Sequence, residues 1–150
     1  MNIIIEGCDG TGKTMLAEYL CKQLNMYYWH ESNPRTLDEY KQMLKSGGVV
    51  FDRFCFGQFV YNTPDQRKMS LEQLQELVQY FKETATLLIY VNCSSEVIAK
   101  RLIARGEGNV DKMTEMIKWI KNIRGTYRQL LQDAKADYIE INGETGLCLI

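Results

Sequence analysis

The sequence predicts an α/β domain of three layers, α/β/α, around a five-stranded parallel sheet. Three observations carry this. Five short apolar runs rich in Ile, Val and Tyr occur at Asn2–Glu6, 26–30, Val49–Asp52, 87–92 and 138–142. Continuous rather than alternating hydrophobicity is the pattern of parallel strands covered on both faces. Segments with helical spacing separate the runs, and strand–helix alternation folds as right-handed βαβ units. Finally, 150 residues without a repeat, a low-complexity tract or a linker make one domain over residues 1–150.

Each helix has its own signature. The first, Lys13–Leu24, sets Leu16, Tyr19, Leu20 and Leu24 on one side. Ser70 is an N-cap, with Glu72 in the first turn, for a helix carrying Leu71, Leu74, Leu77, Val78 and Phe81. Ser94 or Ser95 caps the next helix, which runs to Arg105 and ends at Gly106. The longest covers 111–134, with a stripe formed by Met113, Met116, Ile117, Ile120, Ile123, Tyr127, Leu130, Leu131 and Ala134.

Composition narrows the function. Hydrophobic residues make up 45% and charged residues 25%, with only 2 prolines and 11 glycines, so neither disorder nor a fibrous repeat fits. The 18 basic residues nearly balance 19 acidic ones, for a net charge of −1. No global positive field recruits nucleic acid or a membrane, so phosphate must be bound locally. The longest apolar stretch, around 87–91, falls well short of the ~20 residues of a membrane span. The chain opens Met-Asn-Ile-Ile-Ile, without a basic leader, which predicts no signal peptide. Cys8, Cys21, Cys55, Cys93 and Cys148 form no Cys-x-x-Cys pair. They read as reduced thiols of a cytoplasmic protein rather than a zinc site.

One motif is specific. Gly7-Cys8-Asp9-Gly10-Thr11-Gly12-Lys13-Thr14 matches G-x-x-x-x-G-K-[ST] without a mismatch, directly after a strand and opening a helix. That is the setting of the phosphate loop in the P-loop NTP hydrolase fold. Its glycines let the amides from Gly7 through Asp9, Gly10, Thr11 and Gly12 turn inward at phosphate oxygens, with the positive helix end behind them. Lys13 reaches the β- and γ-phosphates of ATP, and the Thr14 hydroxyl holds Mg²⁺. The bland alternative is a glycine-rich turn that binds nothing, against which the strand–loop–helix setting argues.

The loop alone does not name the reaction. A guanine-reading Asn-Lys-x-Asp is missing after the fourth run, where Asn92-Cys93-Ser94-Ser95 stands instead. What does stand at a strand tip is Asp52-Arg53-Phe54. Asp52 can order a Mg²⁺-bound water or accept an acceptor's proton, while Arg53 can fork onto a phosphate. The alternative is a surface salt bridge. Arg101 and Arg105, four apart on one helix face, precede the flexible Gly106-Glu107-Gly108-Asn109. They serve either as lid arginines over a transferring phosphoryl group or as a solvated basic helix end.

Together these residues resemble the thymidylate kinase family of nucleoside monophosphate kinases. Ile5-Glu6-Gly7-Cys8-Asp9-Gly10-Thr11-Gly12-Lys13-Thr14 is similar to its E-G-x-D-G-x-G-K-T. Asp52-Arg53-Phe54, with Tyr61-Asn62 beyond, resembles its D-R-[YFH] and Tyr-Gln pair. Arg101-Leu102-x-x-Arg105-Gly106 resembles its lid, here about 101–112, and Ile123-Arg124-x-x-Tyr127-x-x-Leu130 the helix after it. The resemblance implies that Asp9 approaches the acceptor's 3′-hydroxyl, Arg53 its phosphate, and Tyr61 the 2′ position. A phosphate loop without arginine implies catalytic arginines in the lid. The T-R-E-P-G segment appears only as Glu31-Ser32-Asn33-Pro34-Arg35. With 17 residues between Pro34 and Asp52, the family's base-stacking helix is shortened or lost. The chain also stops soon after the fifth run, without the family's usual final helix.

The reading is therefore a kinase moving the γ-phosphoryl group of Mg·ATP to a deoxynucleoside monophosphate, with Lys13, Asp52, Arg53, Arg101 and Arg105 catalytic. Thr14 and Asp52 form the metal site. A deoxynucleoside kinase and a kinase of DNA or a modified base are the near rivals, and a non-catalytic nucleotide-binding switch the distant one. The near-neutral charge does not favour nucleic acid; a homodimer is compatible with the family. His30, Tyr27, Tyr28 and Trp29 read as packing residues, Cys8 as a thiol at a variable loop position.

Overall fold

The computed structural model describes residues 1–144. Strands β1 (Asn2–Glu6), β2 (Tyr27–His30), β3 (Val49–Asp52), β4 (Thr86–Asn92) and β5 (Ile139–Asn142) lie parallel in the order β2-β3-β1-β4-β5. Between them run helices α1 (Lys13–Leu24), α2 (Leu37–Lys45), α3 (Gly57–Val60), α4 (Leu71–Glu83), α5 (Ser95–Ala104) and α6 (Met113–Asp133). The five predicted strands and four predicted helices are all present.

The pleat of β1 sorts the core into two halves. Ile3 and Ile5 turn towards α1, packing with Leu16, Ala17, Val50, Ile89 and Val91. Ile4 turns the other way, into the larger cluster with Tyr40, Phe51, Leu74, Leu77, Leu88, Ile120 and Tyr127. Ile3, Ile4 and Ile5 are at most 2% exposed, and burying such a side chain stabilises by about 1.5–3 kcal/mol. The register pairs Ile5 with Asp52 on one side and with Ile89 on the other. The carboxyl ends of β1, β3 and β4 are therefore level, and the polar motifs emerge along a single edge.

Two features depart from the sequence reading. The edge strands are not covered on both faces: all four residues of β2 are exposed, Tyr27 at 80% and Trp29 at 49%. An edge strand has one neighbour, and no helix covers the outer aromatics here. The second is α2, a nine-residue helix outside the four predicted ones; the family's helix was expected to be shortened or lost in this segment, and a helix is present. Its Thr36–Glu39 capping box satisfies the first turn, and it buries Tyr40 and Leu44. A smaller difference lies in α1, where Ala17 is buried and Leu24 faces solvent. Ser94 caps α5, its hydroxyl accepting the Val97 amide. Among the described residues Cys8, Cys21, Cys55 and Cys93 are free thiols, and no helix is long and apolar enough to cross a membrane. Cys148 lies outside the described residues.

Candidate active site

β1 delivers the chain to the phosphate loop through Gly7, whose φ of 148° and position both demand glycine: a Cβ there would overlap the Val91 carbonyl. The loop then closes on itself. The Thr11 hydroxyl and the Lys13 ammonium both donate to the Cys8 carbonyl, at 2.9 and 3.1 Å. Lys13 is only 6% exposed and lies 3.9 Å from Asp9 Oδ1. Burial, reinforced by the Arg53 charge, pushes the Lys13 ammonium below its ordinary range, while Asp9 and Asp52 oppose the shift. A buried ammonium at a glycine-rich loop that opens a helix is suited to an anionic ligand.

At the tip of β3, Asp52 is 1% exposed. Its Oδ2 accepts from Thr14 Oγ1 and from the Tyr28 hydroxyl, each at 2.7 Å, and His30 Nδ1 stands 3.5 Å away. Burial alone would raise its pKa. The hydrogen bonds from Tyr28 and Thr14 and the charge of Lys13 outweigh that, holding the carboxyl below the ordinary 3.8. The other oxygen, Oδ1, is buried without a hydrogen-bond partner. An ionised carboxylate with a free oxygen beside a threonine hydroxyl is an oxygen donor set that suits Mg²⁺.

Arg53 leaves the strand in the left-handed region, at φ 67°, anchored by its amide to the Ile5 carbonyl at 2.8 Å. That turn aims the guanidinium at Asp9 Oδ1, 2.6 Å away, and lays it over the Tyr61 ring at 4.4 Å. Beneath lies Glu6, fully buried, accepting the Phe54 and Phe56 amides and the Tyr127 hydroxyl at 2.9, 3.2 and 3.0 Å. Burial pushes the Glu6 carboxyl up, with the Arg53 charge opposing. Glu6 therefore fixes the loop after β3 and supplies a counter-charge under Arg53. A recess of about 40 Å³ opens between Arg53, Tyr61, Ser32, Asn33 and Asn62. Its wall is stiffened by Glu31, whose buried carboxylate accepts from Trp29 Nε1, the Asn33 amide and Arg35 Nε.

On the other side of the phosphate loop, a cavity of about 540 Å³ is lined by Gly10, Lys13, Met15, Arg101, Arg105 and Glu144. Arg101 donates to the carbonyls of Gly10 and Gly143 at 3.1 and 3.0 Å, bracing the loop against the turn after β5. The seam is tight, because a Cβ on Gly143 would overlap the Thr11 carbonyl. Arg105 is half exposed and pairs with Glu107 at 2.6 Å. The structure thus brings together Asp9, Lys13, Thr14, Asp52, Arg53 and Tyr61. Arg101 and Arg105 line the larger cavity together with Asp9, Lys13 and Thr14. Sequence reasoning missed Glu6 and Glu31 as scaffolds and Tyr28 as an Asp52 partner.

The sequence profile described as thymidylate kinase matches residues 26–147. The chain belongs to the thymidylate kinase family. A probable thymidylate kinase of Picrophilus torridus is 25% identical, over 96% of this chain and 88% of the relative. One of Methanococcus vannielii is 23% identical, over 87% of this chain and 77% of the relative. Structural likeness carries the same fold. The YorR protein of Bacillus subtilis, in complex with phosphorylated GDP, superposes with a TM-score of 0.81 at 23% identity, over 96% of this chain and 86% of that one. A shikimate kinase of Bacteroides thetaiotaomicron gives 0.61 at 15% identity, over 96% and 87%. As a thymidylate kinase family member the chain is a phosphotransferase, and its reaction is ATP-dependent phosphoryl transfer to a nucleoside monophosphate. The profile match begins after the phosphate loop, so the loop's assignment rests on its own residues and geometry.

Proposed function

We propose that this kinase uses Mg·ATP to phosphorylate a deoxynucleoside monophosphate in the cytoplasm, within one domain whose lid lies near 101–112. The observation that supports it is the arrangement around Lys13. A nucleotide-sized cavity lies on one side of the phosphate loop, and a recess headed by an arginine on the other. The loop amides and Lys13 hold the donor's phosphates. Thr14 and Asp52 hold Mg²⁺, which when bound offsets phosphate charge. Arg53 turns from Asp9 to clamp the acceptor phosphate, and Asp9 becomes free to meet the acceptor's 3′-hydroxyl. Tyr61 lies against the 2′ position, where a ribose hydroxyl would crowd it.

An oxygen of the acceptor phosphate then attacks the γ-phosphorus, the bond to the β,γ-bridging oxygen breaks, and ADP leaves. The charge that spreads over the γ-oxygens meets Lys13 and the lid. Arg105, tied among the described residues to the exposed Glu107, swings over it; Arg101 keeps the loop in shape and adds its charge on closure. Arg53 at the recess suits a phosphate acceptor better than a neutral nucleoside. ADP release should be measured with the four deoxynucleoside monophosphates, hydroxymethyl-dUMP, the matching nucleosides, and single- and double-stranded DNA. Strong stimulation by one monophosphate is expected. Stimulation by a nucleoside or DNA alone overturns the acceptor class, and ATP binding without any acceptor response overturns the catalytic reading.

A further inference from the structure

We propose that Tyr28 is a positioning residue for this reaction: from the edge strand β2 its phenol holds Asp52 so that one carboxylate oxygen stays free for the nucleotide-bound cation. The inference rests on the reading of Thr14 and Asp52 given above, but it concerns a residue which no motif in the sequence includes.

The register of β2 against β3 pairs Tyr28 with Val50 and His30 with Asp52. Residues paired in a parallel ladder point to the same face, so Tyr28 and His30 share the α1 side of the sheet with Asp52. Tyr27 and Trp29 point to the opposite side. Tyr28 reaches along this face and donates to Asp52 Oδ2 at 2.7 Å, the oxygen that Thr14 also contacts at 2.7 Å. Both donors converge on one oxygen, and Oδ1 is left without a partner. That division of labour matters because the two donors sit on different elements. Thr14 is on the first turn of α1, and in the proposed site its hydroxyl also serves the cation. Tyr28 is on the sheet and has no second duty. If Thr14 were the sole donor, Asp52 would lose its anchor when that hydroxyl turned to the cation; with Tyr28 present, the sheet still fixes it.

A phenol ordinarily keeps its proton up to about pH 10, so it is a donor at neutral pH. His30, at 3.5 Å, lies beyond hydrogen-bond geometry and is half exposed; it adds no comparable constraint.

Tyr28→Phe removes the hydroxyl and leaves the ring, and Tyr27→Phe, on the opposite face, serves as the control. Mn²⁺ affinity should be measured on the ATP-saturated full chain, together with metal-free ATP affinity, Tm, and kcat as a function of Mg²⁺. Losing a hydrogen bond to a charged group predicts roughly tenfold weaker Mn²⁺ binding and a similar rise in the Mg²⁺ needed for half-maximal turnover. Metal-free ATP affinity should stay unchanged, Tm should fall only by the few degrees that losing one hydrogen bond costs, and Tyr27→Phe should alter nothing. In an Asp52→Asn background, Tyr28→Phe should have no further effect on Mn²⁺ affinity. Mn²⁺ affinity and Mg²⁺ requirement within about twofold of the parent overturn the proposal. So does an equal, additive loss in the Asp52→Asn background, or a loss accompanied by an equal fall in metal-free ATP affinity. Failure of the kinase reading itself would look different: Lys13→Ala would retain turnover whatever residue stood at position 28.

Discussion

The proposed donor and acceptor halves of this site are built by different means. The donor half is a cavity of about 540 Å³ shaped by main chain: loop amides, the carbonyls that Arg101 braces, and a glycine seam. The acceptor half is about 40 Å³ and is made of side chains clasping one another, Asp9 to Arg53 to Tyr61. Main-chain sites are rigid before the ligand arrives. Side-chain clasps must be opened by it, and an acceptor phosphate has the charge to take Arg53 from Asp9.

The sharpest way to break this contrast is Lys13→Ala. Turnover should fall by about 10³-fold or more through loss of transition-state charge stabilisation, with Tm little changed. Near-normal turnover would remove the donor half from the mechanism. Next is Arg53→Lys, which keeps the charge but loses the fork and the stacking on Tyr61. Roughly ten- to hundredfold higher acceptor KM is expected, with ATP affinity unaltered. A matching loss of ATP affinity would mean the two halves are not separate. Gly143→Ala tests the rigidity of the donor half. Its Cβ would meet the Thr11 carbonyl, so thermal unfolding should report about 1–3 kcal/mol of destabilisation together with weaker ATP binding.

The smallest effect concerns Glu6, whose carboxyl burial holds above 4.5. A raised folded pKa gives stability that is complete below pH 4.5 and lost as pH rises through the folded value. Tm of Glu6→Gln should therefore gain on that of the parent as pH is raised from 4.5 towards neutrality. A constant difference in Tm would show that Glu6 does not titrate there.

The fold was legible because its signals are local. Runs such as Ile3-Ile4-Ile5 and caps such as Ser94 act within a few residues, and so does the phosphate loop. What sequence reading lost was non-local or masked. The α2 helix is short, with Leu37, Tyr40, Met43 and Leu44 spaced among charged residues, although its Thr36–Glu39 cap was there to be read. Edge exposure of β2 depends on strand order, which an apolar Tyr-Tyr-Trp does not reveal. The Arg101 contacts span 91 positions to Gly10, and the Glu6 contact to Tyr127 spans 121. Asp9 and Arg53 were both named from resemblance, yet their pairing across 44 positions appears only in the fold.

Arg53 also sets a limit on improving this protein. A non-glycine residue in the left-handed region, as at its φ of 67°, carries roughly 1–2 kcal/mol of strain. Conventional stabilisation would install glycine there first, and in doing so would delete the guanidinium proposed to clamp the acceptor phosphate. Position 53 is therefore one at which selection for robustness and selection for turnover pull in opposite directions, and where the natural residue records which of the two prevailed.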